Sequence, residues 1–190
     1  MELPVSEIIV LPDSFGIKYH HTDDSNVYFY DSTDVIVHEL KYEQITPCGH
    51  FHLINDRFLY CVKDQEGLLN VIDVYDLENN FTEEPTPFFT IAASVFDPEP
   101  PGEFSPRTVQ GHSSMENILL VACEDMIIIV DTADIANQNV NIVSYVKSSA
   151  TEANGKWYDI TVSEKTLFVL SEAVNKIEEW DLTTIGIPSK

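Results

Sequence analysis

Four segments of this 190-residue chain repeat one local pattern, and that repetition limits the fold more than any other feature of the sequence. Each begins with an apolar run, passes an acidic or polar turn, and returns as a second apolar run ending beside an acid. The pairs are 26–32 with 35–40, 58–64 with 68–74, 118–124 with 126–132, and 166–172 with 176–182. Runs of about seven β-branched and aromatic residues, bounded by turn-forming Asp, Ser, Asn and Gly, read as β-hairpins. A further strand is expected upstream of each hairpin, at 16–21, 50–54, 109–114 and 157–163. Downstream strands are clearest at 88–95 and 140–146, and only 132–139 has the makings of a helical turn.

A repeating four-stranded meander is a propeller blade. The expectation is an all-β fold, a β-propeller of about four four-stranded blades spanning 1–190 as one domain. It is either a closed small ring or part of a larger one. The acids Glu39, Asp73, Asp131 and Asp181, taken as equivalent anchors, lie 34, 58 and 50 residues apart. The longest interval holds six of the ten prolines between residues 83 and 106. Proline cannot donate to a central sheet ladder, so 97–108 reads as an exposed Pro/Glu-rich loop. The last blade stops after its third strand, at Asp181-Leu182. The apolar stretch 6–11 could supply the missing outer strand and close the ring; alternatively the chain is a segment of a larger propeller, completed by more sequence or by another subunit at its open edge.

Gly49-His50 ahead of Ile72-Asp73, Gly111-His112 ahead of Val130-Asp131, and Trp180-Asp181 resemble the Gly-His and Trp-Asp signposts of WD40 repeats. The wording of 119–131 is similar to the LVIVD type of propeller repeat. The resemblance spans most of 16–182, with His38-Glu39 where blade one would carry Trp-Asp and no Gly-His in blade four. It implies structural hydrogen bonding of His50 with Asp73 and of His112 with Asp131, with Trp180 and Asp181 in the same structural class.

The net charge of −22 narrows the partners. Between Lys63 and Arg107 ten acids occur and no basic residue. A phosphate backbone would be repelled, and so would an anionic membrane surface. A charged partner should be a basic or mixed protein segment; the same acids also keep a β-rich chain soluble. Cys61 and Cys123 fall inside apolar strands, where a thiol behaves as a small hydrophobe. With Cys48 they make an odd number without metal spacing. Together with an opening that lacks a basic region and an apolar stretch of signal type, this points to a cytoplasmic or nuclear protein.

Catalytic signatures are missing. No Gly-x-Ser-x-Gly elbow, P-loop or dinucleotide fingerprint occurs, and the cysteines lie within or beside strands rather than on exposed turns. The expectation is a non-enzyme without a cofactor. His50 and His52 point to one face of a strand, and with His20 they could hold a transition metal near the propeller axis; structural or surface roles are the alternative. Asp23, Asp24, Asp31 and Asp34 lack the glycine and spacing of a calcium loop. For partner binding, Trp157 and Tyr158 open an inner strand near the rim. Phe104 is the expected exposed aromatic anchor, accompanied by Asp97, Glu99 and Glu103, whereas Phe88 and Phe89 are expected in the core. The functional expectation is a protein–protein interaction or scaffold module. Its alternatives are a propeller enzyme or metal protein using the histidines, and an extracellular adhesive or glycan-binding propeller.

Overall fold

The computed structural model describes residues 5–10, 14–19, 26–31, 36–41, 48–55, 57–63, 70–78, 86–112, 115–124, 126–147, 157–163, 165–171 and 176–185. They form four antiparallel sheets in which neighbours in sequence are neighbours in space. The first contains β1 (Val5–Val10), β2 (Ser14–Tyr19), β3 (Asn26–Asp31) and β4 (Ile36–Lys41). The second contains β5 (Cys48–Ile54), β6 (Phe58–Lys63), β7 (Ile72–Asp76) and β8 (Phe89–Ile91). The third contains β9 (Pro106–His112), β10 (Met115–Cys123), β11 (Met126–Asp131) and β12 (Asn141–Lys147). The fourth has three strands among the described residues: β13 (Trp157–Ser163), β14 (Thr166–Ser171) and β15 (Lys176–Asp181). The helical turn expected in 132–139 is a single 3-10 turn, Ile135–Asn137.

Burial explains why the central strands read as unbroken apolar runs. On β10 and β11, Leu119, Val121, Ile128 and Val130 pack against the second sheet. The intervening Leu120, Ala122, Ile127 and Ile129 pack against the fourth. A strand covered on both faces has no polar side to alternate with. The inner strands β5, β9 and β13 run side by side, placing sheets two, three and four in succession like blades about an axis. Cys123 is a buried thiol. Cys61 is disulfide-bonded, contrary to its reading as a plain buried thiol.

Where β5 meets β9 the approach is very close. A Cβ on Gly111 would lie 2.8 Å from Cδ2 of His52 and closer still to Nε2. The glycine therefore leaves the space that the His52 ring occupies beside the β9 backbone. Gly111→Ala should destabilise the protein by about 1–3 kcal/mol through overpacking. Adding His52→Ala should recover most of that loss in a double-mutant cycle read by urea unfolding. Additive losses would show that the two residues do not compete for one space.

The blade register differs from the sequence reading in one instructive way. Asp76, Asp131 and Asp181 end the third strands of their sheets. Each accepts a backbone N–H two residues on, from Glu78, Ala133 and Thr183. The residue after each donates its N–H across the blade, Leu77 to Arg57, Thr132 to Asn117 and Leu182 to Lys165, all at 2.8 Å. Asp76, not Asp73, is thus the repeat anchor of the second sheet. By strand order Asp31, at the end of β3, takes the place given to Glu39. The corrected anchors lie 45, 55 and 50 residues apart, a more even repeat. The first sheet accordingly starts one strand earlier. Residues of the 6–11 stretch pair with β2 as its opening strand, and do not fill the outer position of the fourth sheet.

The carboxylates of the histidine–aspartate pairs implied by the WD40 resemblance take other partners. Buried Asp73 is held by Lys63 Nζ at 2.7 Å and by the Thr90 hydroxyl at 2.8 Å, while the Asp131 carboxylate caps its own turn. The physical need is the expected one: a carboxylate out of water needs a cation or donors. Asp76 meets it with two parallel bonds from Arg57, at 2.9 and 2.7 Å, and that guanidinium also lies 4.8 Å over the Phe58 ring.

Candidate protein-interaction face

The connection from β8 to β9 builds an acidic strap at the end of the blades where β9 begins. Phe96 and Phe104 are both 3% exposed. Their rings meet edge to face with centroids 5.6 Å apart. This pair pins both ends of the strap in the core between sheets two and three. Between them Asp97, Pro98, Glu99, Pro101 and Glu103 are exposed. Lys147, at the end of β12, donates to the Pro101 carbonyl at 2.8 Å and clips the crown of the strap to the third sheet. The loop expected over 97–108 is therefore exposed over 97–103 only. From Phe104 the chain turns inward, and Pro106 takes the first position of β9, where a proline is tolerated.

Beneath the strap is a cleft of about 130 Å³ lined by Asn70, Glu103, Ser105, Pro106, Arg107 and Glu124. Arg107 and Glu124 form an ion pair across it, and the Glu124 N–H donates to Ser105 Oγ at 3.4 Å. Tyr145, 47% exposed, adds an aromatic surface. It lies opposite Ile128 in the β11–β12 ladder, two residues before Lys147, and so shares the strap's side of β12. The arrangement presents carboxylates on a short, anchored loop beside a shallow cleft and one accessible ring.

The structure sorts the expected site residues. Asp97, Glu99 and Glu103 are exposed on the strap. Phe104 does not join them: it is a core residue, because the edge-on contact with Phe96 and the apolar space between two blades turn its ring inward. Phe88 and Phe89 are partly buried against that core. Trp157 opens β13, placing it at the same end of its sheet as Pro106 in β9; its side chain and that of Tyr158 lie outside the described residues. Tyr145 was missed, although the alternating exposure of β12 is legible in Asn-Ile-Val-Ser-Tyr-Val-Lys once the strand is known to be outermost.

The histidines have different roles. His112 is buried, and burial lowers its pKa. His52, wedged against Gly111, is pushed down to about 4 by loss of solvent around its ring. His20 lies outside the described residues, among which no three His, Cys, Asp or Glu side chains converge on a metal position. Trp180 is half-buried and its indole N–H donates to Glu178 at 3.1 Å, while Asp181 receives both the N–H and the hydroxyl of Thr183.

No protein-family model and no curated protein matches the sequence. Solved structures do match. Kluyveromyces lactis Hsv2 is 13% identical with a TM-score of 0.53, the match covering 96% of this chain and 50% of that one. The complex of KlAtg21 with the coiled-coil of AgAtg16 gives a TM-score of 0.60 at 13% identity, covering 96% and 54%. The Cps50 (Swd1) β-propeller domain of Myceliophteria thermophila gives 0.51 at 12% identity, covering 96% and 56%. The likeness shows the fold: these are β-propellers, and the four sheets described above are propeller blades. The chain spans about half the length of the structures it matches.

Proposed function

We propose that this chain is a non-catalytic protein-interaction module whose acidic strap, with the cleft beneath it and Tyr145 beside it, receives a basic or mixed segment of a protein partner. The observation that carries the reading is the anchoring of the strap. An exposed loop rich in carboxylates is pinned at both ends by the Phe96–Phe104 pair and clipped at its crown by Lys147. A loop held in one shape loses little entropy on binding. Its carboxylates, in a chain of net charge −22, favour encounter with a cation. Two structural neighbours support the class of function: one is a complex with a coiled-coil, the other a propeller domain. The outer edge of the fourth sheet, where β15 has no partner strand among the described residues, adds a second route to assembly, through another subunit.

The test is titration of the protein with a Lys/Arg-rich peptide carrying one aromatic anchor. Binding should weaken as salt rises from 50 to 500 mM, the direction set by charge screening. Glu99→Lys with Glu103→Lys should raise the dissociation constant at least roughly tenfold, and Tyr145→Ala should raise it further. Both strap positions are exposed, so the fold should survive. Binding that ignores charge reversal and salt would sink the reading.

A further inference from the structure

The inference starts from one face of the fourth sheet and rests on reading the chain as an interaction module. Each blade has a side turned toward the next. In the second sheet that side carries Tyr60 opposite Val74 and Val62 opposite Ile72, all at most 2% exposed under the third sheet. In the third sheet it carries Leu120 opposite Ile129 and Ala122 opposite Ile127, all fully buried under the fourth. Counted from the anchoring aspartate, the same positions in the fourth sheet are Phe168 opposite Glu179 and Leu170 opposite Ile177. Here Leu170 is 39% and Ile177 69% exposed. This is the blade-docking face of the repeat with nothing docked on it among the described residues.

The chain's first sheet offers the complementary side. In the third sheet the positions that dock on the preceding blade are Leu119, Val121, Ile128 and Val130. Counted in the same way, the corresponding register positions in the first sheet are Phe15, Ile17, Tyr28 and Tyr30, again apolar or aromatic. The exposure of Ile177 shows that the chain's own first sheet does not cover the fourth. The match covers about half the length of those chains, and a second copy of this chain would span a similar length again.

We propose that the Leu170–Ile177 face of the fourth sheet docks the first sheet of a second copy of this chain, two copies closing one propeller by two equivalent junctions. Such head-to-tail contacts make a closed ring when the rotation closes and a polymer when it does not. The interface is apolar, whereas each copy carries −22 of charge. Screening that repulsion should therefore tighten self-association as salt rises, opposite in sign to the binding of a basic peptide at the strap.

Sedimentation velocity and light scattering on the 190-residue protein, over a range of concentration and at 50 and 500 mM salt, test this. A species of twice the 21.5 kDa chain mass is expected, more populated at high salt. Ile177→Asp with Leu170→Asp should raise the dimer dissociation constant roughly 100-fold or more, with the circular dichroism spectrum unchanged because both side chains are solvent-exposed in the single chain. Val143→Asp, at a comparably exposed apolar position on β12, should leave the dimer intact. A monomer under every condition, an open-ended polymer, or a dimer that survives the double substitution would each overturn the proposal. Glu99→Lys with Glu103→Lys should weaken peptide binding at least roughly tenfold without changing this mass, so failure of the strap reading and failure of the dimer are seen separately.

Discussion

An Ile128→Ala protein is expected to lose about 3–4 kcal/mol of unfolding free energy, close to the upper end for deletion of a buried aliphatic group. Ile128 is fully buried at the centre of β11, between Val121 of β10 and Tyr145 of β12, and belongs to the core shared by sheets two and three. Close packing on both sides limits how far the neighbours can collapse into the space left behind. Domains of ordinary stability hold only about 5–15 kcal/mol in total, so the variant should unfold at much lower urea. Ile177→Ala in the same assay, at a concentration where the chain is monomeric, should change stability by less than about 0.5 kcal/mol, because that side chain is 69% exposed. The two substitutions remove the same atoms and differ only in what surrounds them. Similar losses at both positions would mean that the third sheet is not enclosed between its neighbours. Ile128→Val, keeping most of the volume, should cost about 1 kcal/mol and marks whether the larger loss comes from the cavity.

The enclosure of the third sheet is what made the blades legible in sequence. Met-Ile-Ile-Ile-Val and Ile-Leu-Leu-Val-Ala-Cys are apolar at every step because both faces are covered, and a hairpin of two such runs has few other solutions. Blade register was harder to read. The run Ile72-Asp73-Val74-Tyr75-Asp76 offers two acids three residues apart. Only the cross-blade bond from Leu77 to Arg57 distinguishes the turn-capping Asp76 from the strand residue Asp73. That bond depends on which carbonyl lies opposite, a tertiary fact absent from local pattern. The same ambiguity moved the first blade by one strand, since Tyr30-Asp31 and His38-Glu39 both end apolar runs. At the strap, proline and glutamate suggested an exposed loop over 97–108, of which the exposed residues end at Glu103. They carried no information on which way Phe104 would turn, and its ring found Phe96 across the base of the loop. Ile177 is the converse: an apolar residue in a strand reads as core, and only the absence of a covering sheet among the described residues makes it surface.

Acidification should destabilise the fold through the buried ring of His52. His52 lies on β5 opposite Tyr60 with its ring wedged against Gly111, and desolvation holds its pKa near 4 against about 6.5 for a free imidazole. The unfolded chain therefore binds a proton between those values that the folded chain refuses. Stability rises with pH wherever the unfolded state binds more protons. The contribution of His52 is thus complete above pH 6.5, falls progressively below it, and levels off below pH 4. Lowering the pH from 7 to 4.5 should remove about 2–3 kcal/mol by this route. His112, also lowered by burial, acts in the same direction. The carboxylates held low by hydrogen bonds, Asp134 and Asp181, begin to matter only below the ordinary carboxylate range, so they leave this window to the histidines. Net charge works the other way: near the sequence pI of 4.3 the mutual repulsion of the acids fades, which favours the compact state. Comparison with His52→Gln separates the two effects, because that variant keeps the fading repulsion and loses the titrating ring. Urea unfolding at pH 7 and pH 4.5 should show a smaller acid loss in His52→Gln than in the parent, by about 2–3 kcal/mol. Equal losses in the two proteins would show that the imidazole at the β5–β9 contact can take up its proton without opening the blades.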